Sequence, residues 1–377
     1  MSEFHVGKAL HGLITVGFVK LVDRTATATL LAALIPGVAV AQAVPTRVIL
    51  FVADGAGAGH WGLAASVMDH LAVADFPVSG LVDTRGADHV VTESAAGATA
   101  LATGVRTFYG ALSVGPDSLP RESVLEAARA RGLGTGLVTT TSFLDATPAA
   151  FVAHVPSRRA LARIFEGYLA NRPTVVLAGG RRALARRLPP DSTPVGDRFR
   201  QAYTVVTTAD ELAAVGLDTV TALLGLLADG DLPLAPDRSP SLAQLAETAL
   251  TVLDRNPLGF FLLVENEETD TQAHGNAPLP ILAAEMRAFD EAVRAGVRYQ
   301  DRHPETLIVV VADHETGGLS LTHARDSLQL SYHTKDHTAE LVPLFARGPG
   351  AERFSGLLTN AEVGQRLMAA VRAAGRR

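Results

Sequence analysis

The chain contains no cysteine, which excludes thiolate nucleophiles, cysteine metal sites and disulfides together. Any metal it binds is therefore held by oxygen and imidazole. Lysine is almost missing, occurring only at Lys8, Lys20 and Lys335, so arginine supplies nearly all the positive charge. There is no basic excess either: the net charge is −6, which excludes the electrostatic footprint of a nucleic-acid-binding domain. Past Pro45 no apolar stretch is long enough to span a bilayer.

What is present begins with a targeting pattern. Lys20 and Arg24 precede an Ala- and Leu-rich stretch from Ala26 to Val40, and Ala41-Gln42-Ala43 supplies a small-x-small cleavage pattern. Residues 1–43 read as an export segment cleaved after Ala43, which places the mature protein in the periplasm or outside the cell. Residues 44–377 read as one domain, long enough to bury a full core. Short apolar runs predict strands at Arg47 to Ala53, Gly134 to Thr140, Thr174 to Leu177, Gly259 to Val264, Thr306 to Val311 and Leu341 to Ala346. Helical patterns alternate with them over Glu122 to Arg131, Arg158 to Leu169, Ser241 to Leu253, Leu279 to Tyr299 and Asn360 to Ala374. The alternation predicts an α/β three-layer sandwich, a mostly parallel central sheet with helices on both faces. Between Arg181 and Asp237 the sequence offers only loop punctuation, at Leu188-Pro189-Pro190-Asp191 and Leu234-Ala235-Pro236-Asp237.

The polar residues cluster where predicted strands stop. Asp54, Glu265 and Asp313 each follow an apolar run, and in open α/β sheets the ligand crevice lies at the carboxyl ends of the strands. The run Gly259 to Val264 discharges into Glu265-Asn266-Glu267-Glu268-Thr269-Asp270-Thr271-Gln272-Ala273-His274. Carboxylates gathered at the end of a buried strand repel one another and resist desolvation, so the arrangement is tolerable mainly where cations neutralise it. By itself the segment could be a solvated acidic loop, and Asp54-Gly55 by itself is a turn signal. Asp313-His314 at another strand end adds an imidazole, and Ser94 opens a run of very small residues from Ala95 to Thr103. The first amides of such a helix face an anion, and a serine there can attack phosphorus if a metal activates its hydroxyl. Alone, it would be an ordinary helix N-cap.

Together these segments resemble the classical metal-dependent serine alkaline phosphatases. That family carries, in order, a strand-terminal Asp-Gly, T-D-S-A-A-x-A-T-A, D-A-T-P-A-A followed by A-H-V-x-S-R, E-x4-D-x3-H, T-A-D-H and a late G-H-T-x-x-x-V-P. This chain has Asp54-Gly55, Thr92-Glu93-Ser94-Ala95-Ala96-Gly97-Ala98-Thr99-Ala100, Asp145-Ala146-Thr147-Pro148-Ala149-Ala150 and Ala153-His154-Val155-Pro156-Ser157-Arg158. It continues with Glu265 through His274, Ala312-Asp313-His314, and Asp336-His337-Thr338 with Val342-Pro343, so the resemblance spans about Val48 to Gly350.

The resemblance implies hydrolysis of small phosphate monoesters by a two-metal in-line displacement, with a phosphoserine intermediate on Ser94 and Arg158 clamping the phosphate. It implies one zinc on Asp270, His274 and His337, a second on Asp54, Asp313 and His314, and a magnesium on Asp54, Thr147 and Glu265. The sorting agrees with ligand chemistry, since imidazoles suit zinc and an all-oxygen set suits magnesium. Glu93 stands where relatives usually have aspartate, with an arm long enough to orient Arg158. Thr271 stands where they often carry lysine, histidine or tryptophan. The short interval from His314 to His337 leaves room for little or no crown insertion, so the chain is expected to be a monomer or a homodimer. His154 is expected to be a hydrogen-bonded structural residue, and His60, His70, His323 and His333 to lie at the surface or in loops. Gly179-Gly180-Arg181 reads as a tight turn, Glu315 as a hydrogen-bonding neighbour of the site, and Glu267 and Glu268 as solvent-facing. The competing readings are a diesterase or sulfatase of the same superfamily, though no C/S-x-P-x-R motif is found, and a non-catalytic metal- or phosphate-binding protein.

Overall fold

The most apolar runs of the chain lie at the centre of a ten-stranded sheet in this computed structural model, which describes residues 44–188, 193–324 and 327–374. The strands are β1 (Arg47–Ala53), β2 (Val78–Asp83), β3 (Gly134–Ser142), β4 (Val175–Gly179), β5 (Thr204–Val206), β6 (Leu223–Leu226) and β7 (Phe260–Asn266). They continue as β8 (Thr306–Val311), β9 (Glu315–Thr316), β10 (Ser320–Ala324), β11 (Ser327–Ser331), β12 (His337–Thr338), β13 (Val342–Arg347) and β14 (Gly356–Thr359). The large sheet runs β14-β2-β13-β8-β1-β7-β3-β4-β6-β5, and within it only β13 is antiparallel to its neighbours. The predicted α/β architecture, a mostly parallel sheet between helices, is the one observed.

The centre of the sheet is parallel because its strands are covered on both faces, so β1, β7 and β8 are buried along nearly their whole length. Each fully buried Leu, Val or Phe side chain there contributes roughly 1.5–3 kcal/mol. The long helix Leu279–Arg302 turns one apolar stripe inward through Leu282, Met286, Phe289 and Val293, where Phe289 meets Phe51 and Trp61 edge-on. The helix Leu242–Leu253 opens with a full capping box between its N-cap Ser241 and Gln244.

Two regions depart from the sequence reading. The stretch from Arg181 to Asp237 is ordered around β5, β6 and the helices Val195–Ala202 and Ala209–Ala214. Strands of three and four residues leave too little periodicity to read; Pro189 to Asp191 lie outside the described residues. Strand β2 was also not legible, because Val78 to Asp83 sits near the sheet edge and is only partly buried.

The export segment, residues 1–43, lies outside the described residues. Among those described, no helix is long and apolar enough to cross a membrane. The interval from His314 to His337 holds one short hairpin, β10 and β11, with no crown-sized insertion.

Candidate active site

The register of the sheet brings the polar strand ends together. β1 pairs in parallel with both β7 and β8, so Asp54, Glu265 and Asp313 emerge side by side. Asp54 and Asp313 are 1 % and 0 % exposed, and Glu265 is 0 %. Burial and mutual repulsion raise the proton affinity of Asp54 well above the carboxylate range, while burial pushes Asp313 up to about 7 and Glu265 up to about 8. One oxygen of each, Asp54 Oδ1, Asp313 Oδ2 and Glu265 Oε1, has no hydrogen-bond partner. Three buried carboxylates with orphaned oxygens at one point fit a cation site.

The helix Ser94–Thr103 places the serine. Glu93 is its N-cap and accepts from Ala95 N at 2.9 Å and Ala96 N at 2.8 Å, so Ser94 is the first helical residue rather than the cap. Gly97 lets the helix approach the β8 end: a Cβ there would meet the Asp313 carbonyl oxygen at 2.7 Å. The small-residue run thereby docks Ser94 against the acids, with Ser94 Oγ 3.3 Å from His314 Nε2.

His314 is fully buried and lies 3.2 Å from Asp54 Oδ1 and 3.5 Å from Asp313 Oδ2. Burial, followed by the neighbouring His337, holds its proton affinity well below the usual histidine value. Asp54, Asp313 and His314 form one group whose ligand atoms all lie within 4.8 Å of each other, and Asp270, His314 and His337 form another. His274 touches the second group, 3.3 Å from Asp270 Oδ2 and 3.0 Å from His337 Nε2, without belonging to that tight set. Its hydrogen bond to Asp270 raises it to about 9. Asp270 is pushed up by burial, yet the bond from His274 and the nearby imidazoles hold it far below the normal carboxylate value.

Thr147 Oγ1 donates to Asp54 Oδ2 at 3.4 Å and also lowers the proton affinity of Glu265, so Asp54, Thr147 and Glu265 meet as an all-oxygen group. Arg158 donates to Glu93 Oε2 at 3.0 Å and to Asp145 Oδ1 at 2.5 Å. Burial opposes its charge, but Asp145 and Glu93 raise its proton affinity further, so it stays a cation. Arg158 and Ser94 line one open cleft of about 1310 Å³ together with Asp270, His274 and His337.

Several supporting residues were not singled out from sequence. Asp145, which opens the Asp-Ala-Thr-Pro-Ala-Ala motif, holds one arm of Arg158. Thr139 Oγ1 donates to Glu265 Oε2 at 2.5 Å, and Thr316 Oγ1 donates to Asp270 Oδ1. A threonine at a strand end carries no signal of its own. Glu315 accepts from Gly318 N and Leu319 N, both at 3.1 Å, and from Thr338 Oγ1, tying β9 to β12 beside His337. His154 bridges the Ser113 carbonyl and Glu126, a structural arrangement.

Two expectations are corrected. His60 is fully buried with neither ring nitrogen bonded, and burial lowers it to about 4, because the helix Ala58–Val67 turns it into the interior. Glu268 does not face solvent, because the chain turns into the helix Glu268–His274 directly after β7 and leaves it only 5 % exposed, whereas Glu267 is half-buried and lines the open cleft. Burial pushes Glu267 up to about 9, where it accepts a bond from Thr271 Oγ1.

Comparison with known proteins agrees with this architecture. The alkaline phosphatase family profile matches residues 46–328. Streptomycin-6-phosphate phosphatase of Streptomyces griseus is 35 % identical over 84 % of this chain and 88 % of its own length. The alkaline phosphatase of Escherichia coli K12 is 31 % identical over 85 % of this chain and 81 % of its own. Among solved structures, the alkaline phosphatase of the Antarctic bacterium TAB5 superposes with a TM-score of 0.82 at 28 % identity, covering 88 % of this chain and 99 % of that one. A variant of that enzyme has been solved with magnesium bound. The Thermus thermophilus alkaline phosphatase gives a TM-score of 0.77 at 27 % identity, over 89 % and 92 % of the two chains.

Proposed function

This chain belongs to the alkaline phosphatase family and is a phosphoric monoester hydrolase, and we propose that it works through a phosphoserine on Ser94 in a site for two zinc ions and one magnesium. The observation that carries the reading is the set of orphaned carboxylate oxygens on Asp54, Asp313 and Glu265 beside the Ser94 hydroxyl. Asp270, His274 and His337 would hold one zinc, and Asp54, Asp313 and His314 the other. Asp54, Thr147 and Glu265 would hold magnesium, with Asp54 shared. When bound, the metals supply positive charge and lower the pKa of oxygen nucleophiles.

The chain's own residues do the rest. Ser94 Oγ forms the new O–P bond as the ester P–O bond breaks and the alcohol leaves, and water later cleaves the Ser94 phosphate. His314 stands beside Ser94, but its low proton affinity makes it an electron-pair donor to a cation rather than a base. The Ala95 and Ala96 amides at the start of the Ser94 helix are taken up by the Glu93 carboxylate, so the phosphate is left to Arg158 and the cations. Arg158, held in plane by Glu93 and Asp145, presents its fork to two phosphate oxygens, a geometry lysine lacks.

Glu93 supports this role, because it caps the Ser94 helix and holds Arg158 with the same carboxylate. The charged residues and apolar stretch of segment 1–43 support export, so the proposed place of action is the periplasm or the medium. The test is elemental analysis of the purified protein together with an aryl phosphate assay. Zinc, magnesium and turnover together support the reading; a fully metallated protein that binds phosphate without turnover would make it a binding protein instead.

A further inference from the structure

The cleft is larger than the reaction needs. At about 1310 Å³ it exceeds the ~300–1,000 Å³ typical of small-molecule sites, and one wall of its lining comes from the Gly180 turn and the start of the helix Leu161–Asn171, segments that supply none of the residues proposed to hold metals. Three arginines, Arg159, Arg182 and Arg186, line that wall, and all three are exposed. No hydrogen bond or ion pair to a carboxylate is found for any of their guanidinium groups among the described residues.

Their neighbour Arg181 is occupied differently. Its Nε pairs with Asp229 Oδ1 at 2.8 Å and its Nη1 donates to the Thr207 carbonyl at 2.8 Å. Gly180, at φ +95°, makes the turn, with Gly180 N donating to Gly230 O at 2.7 Å and Arg181 N to Ala228 O at 2.8 Å. The turn that carries Arg182 and Arg186 is therefore braced on the β6 side; Arg182 is near enough to Asp229 to help lower its proton affinity but makes no bond to it, and no carboxylate bond to Arg186 is found among the described residues. The acids on the same wall are already engaged: Asp229 pairs with Arg181, and Asp231 Oδ1 accepts from Thr141 Oγ1 at 2.8 Å and Ser142 N at 2.9 Å. The helix Leu161–Asn171 begins at the same cleft with no side-chain cap, which adds a field of the same sign. Leu144, Leu161 and Ala183 add apolar surface to the same cleft.

We propose that Arg159, Arg182 and Arg186 form a subsite for a second anionic group, a phosphate or carboxylate carried on the leaving alcohol of the substrate. The inference rests on the phosphomonoesterase reading and narrows its substrate class to phosphate monoesters bearing another negative charge. Guanidinium groups recognise either anion through the same planar fork.

A matched series tests it on the metal-loaded enzyme: glucosamine 6-phosphate, glucose 6-phosphate and 6-phosphogluconate, whose leaving alcohols are cationic, neutral and anionic. Fructose 6-phosphate and fructose 1,6-bisphosphate add the phosphate arm and separate it from the carboxylate arm. The expected kcat/KM is roughly three- to tenfold higher for the anionic member of a pair, through KM, and fades at high salt. In the double variant Arg182→Gln, Arg186→Gln the anionic-to-neutral ratio is expected to fall toward one. A flat or reversed order in the wild type, or an unchanged ratio in the variant, overturns the subsite and leaves the phosphatase reading standing. If no sugar phosphate is turned over, calorimetric titration of fructose 1,6-bisphosphate against fructose 6-phosphate decides: tighter binding of the bisphosphate keeps the subsite while the catalytic reading fails, and equal binding overturns the subsite.

Discussion

His274 and His337 face each other through their Nε2 atoms at 3.0 Å, while their Nδ1 atoms meet the carbonyl oxygens of Lys335 and Thr92. A carbonyl oxygen only accepts, so both Nδ1 atoms carry hydrogen, and both neutral Nε2 atoms then present lone pairs. Two lone pairs at that distance, beside Asp270, require either one extra proton or a metal between them. Adding zinc to the metal-free protein should therefore release protons at pH 8, measurable as buffer-dependent heat in calorimetry. His337→Ala should remove that release and about one zinc per chain; an unchanged zinc count would remove His337 from the site.

Glu93 joins the nucleophile's helix to the phosphate clamp. It accepts from Ala95 N, Ala96 N and Gly110 N and pairs with Arg158. Loss of a cap costs ~0.5–2 kcal/mol, and stripping a buried partner from a charge adds a comparable amount. Glu93→Ala is expected to lower stability by about 2–4 kcal/mol in urea melts and to raise KM for aryl phosphate more than it lowers kcat. An unchanged KM would show that Glu93 only caps the helix.

The pH response of the metal-free protein follows from its buried acids. Asp313 rises to about 7, Glu265 to about 8 and Glu267 to about 9, all through burial, so the folded state keeps protons that the unfolded chain has lost. His274, raised to about 9 by Asp270, also keeps its proton above its unfolded value. A folded state that binds more protons loses stability as pH rises, so Tm of the chelated protein should fall from pH 7 to pH 9. The low values of His314 and His60 act below that window. Zinc and magnesium should flatten the decline; a metal-free Tm that rises across the window would contradict the account.

Arg238 and Glu285 form a buried ion pair at 3.0 Å, with side chains 2 % and 0 % exposed. Glu285 also accepts from Ala235 N and from Asn266 Nδ2, and Asn266 follows Glu265 at the end of β7. Removing one partner of such a pair costs ~3–5 kcal/mol. Arg238→Ala should lower the urea midpoint accordingly and weaken magnesium retention through Asn266; a shift below about 1 kcal/mol would mean water replaces the arginine without loss.

The sequence was most informative where burial is complete. β1 was read at the same bounds that are observed, because a parallel strand covered on both faces is apolar throughout. The residues proposed to hold the metals stood out as acids and histidines placed where such strands stop, and the structure brings Asp54, Asp313 and His314, and Asp270, His314 and His337, into two close groups. What the chain order could not express was partnership. Glu93 and Asp145 share Arg158 from two separate loops, and Glu268 is buried by the turn into its own helix, facts that exist only once the sheet has aligned β1, β3 and β7. The braced turn at Gly180 was read correctly as a turn, but the arginines that it leaves over acquire meaning only from the cleft they line.

The most direct test is to quench the metal-loaded enzyme with acid during turnover of a radiolabelled phosphate monoester and map the label. The account predicts labelled phosphate on the peptide containing Ser94, and in Ser94→Ala no label, intact metal content and a loss of at least ~10³-fold in kcat. Label at another residue, or near-normal turnover by Ser94→Ala, would contradict it.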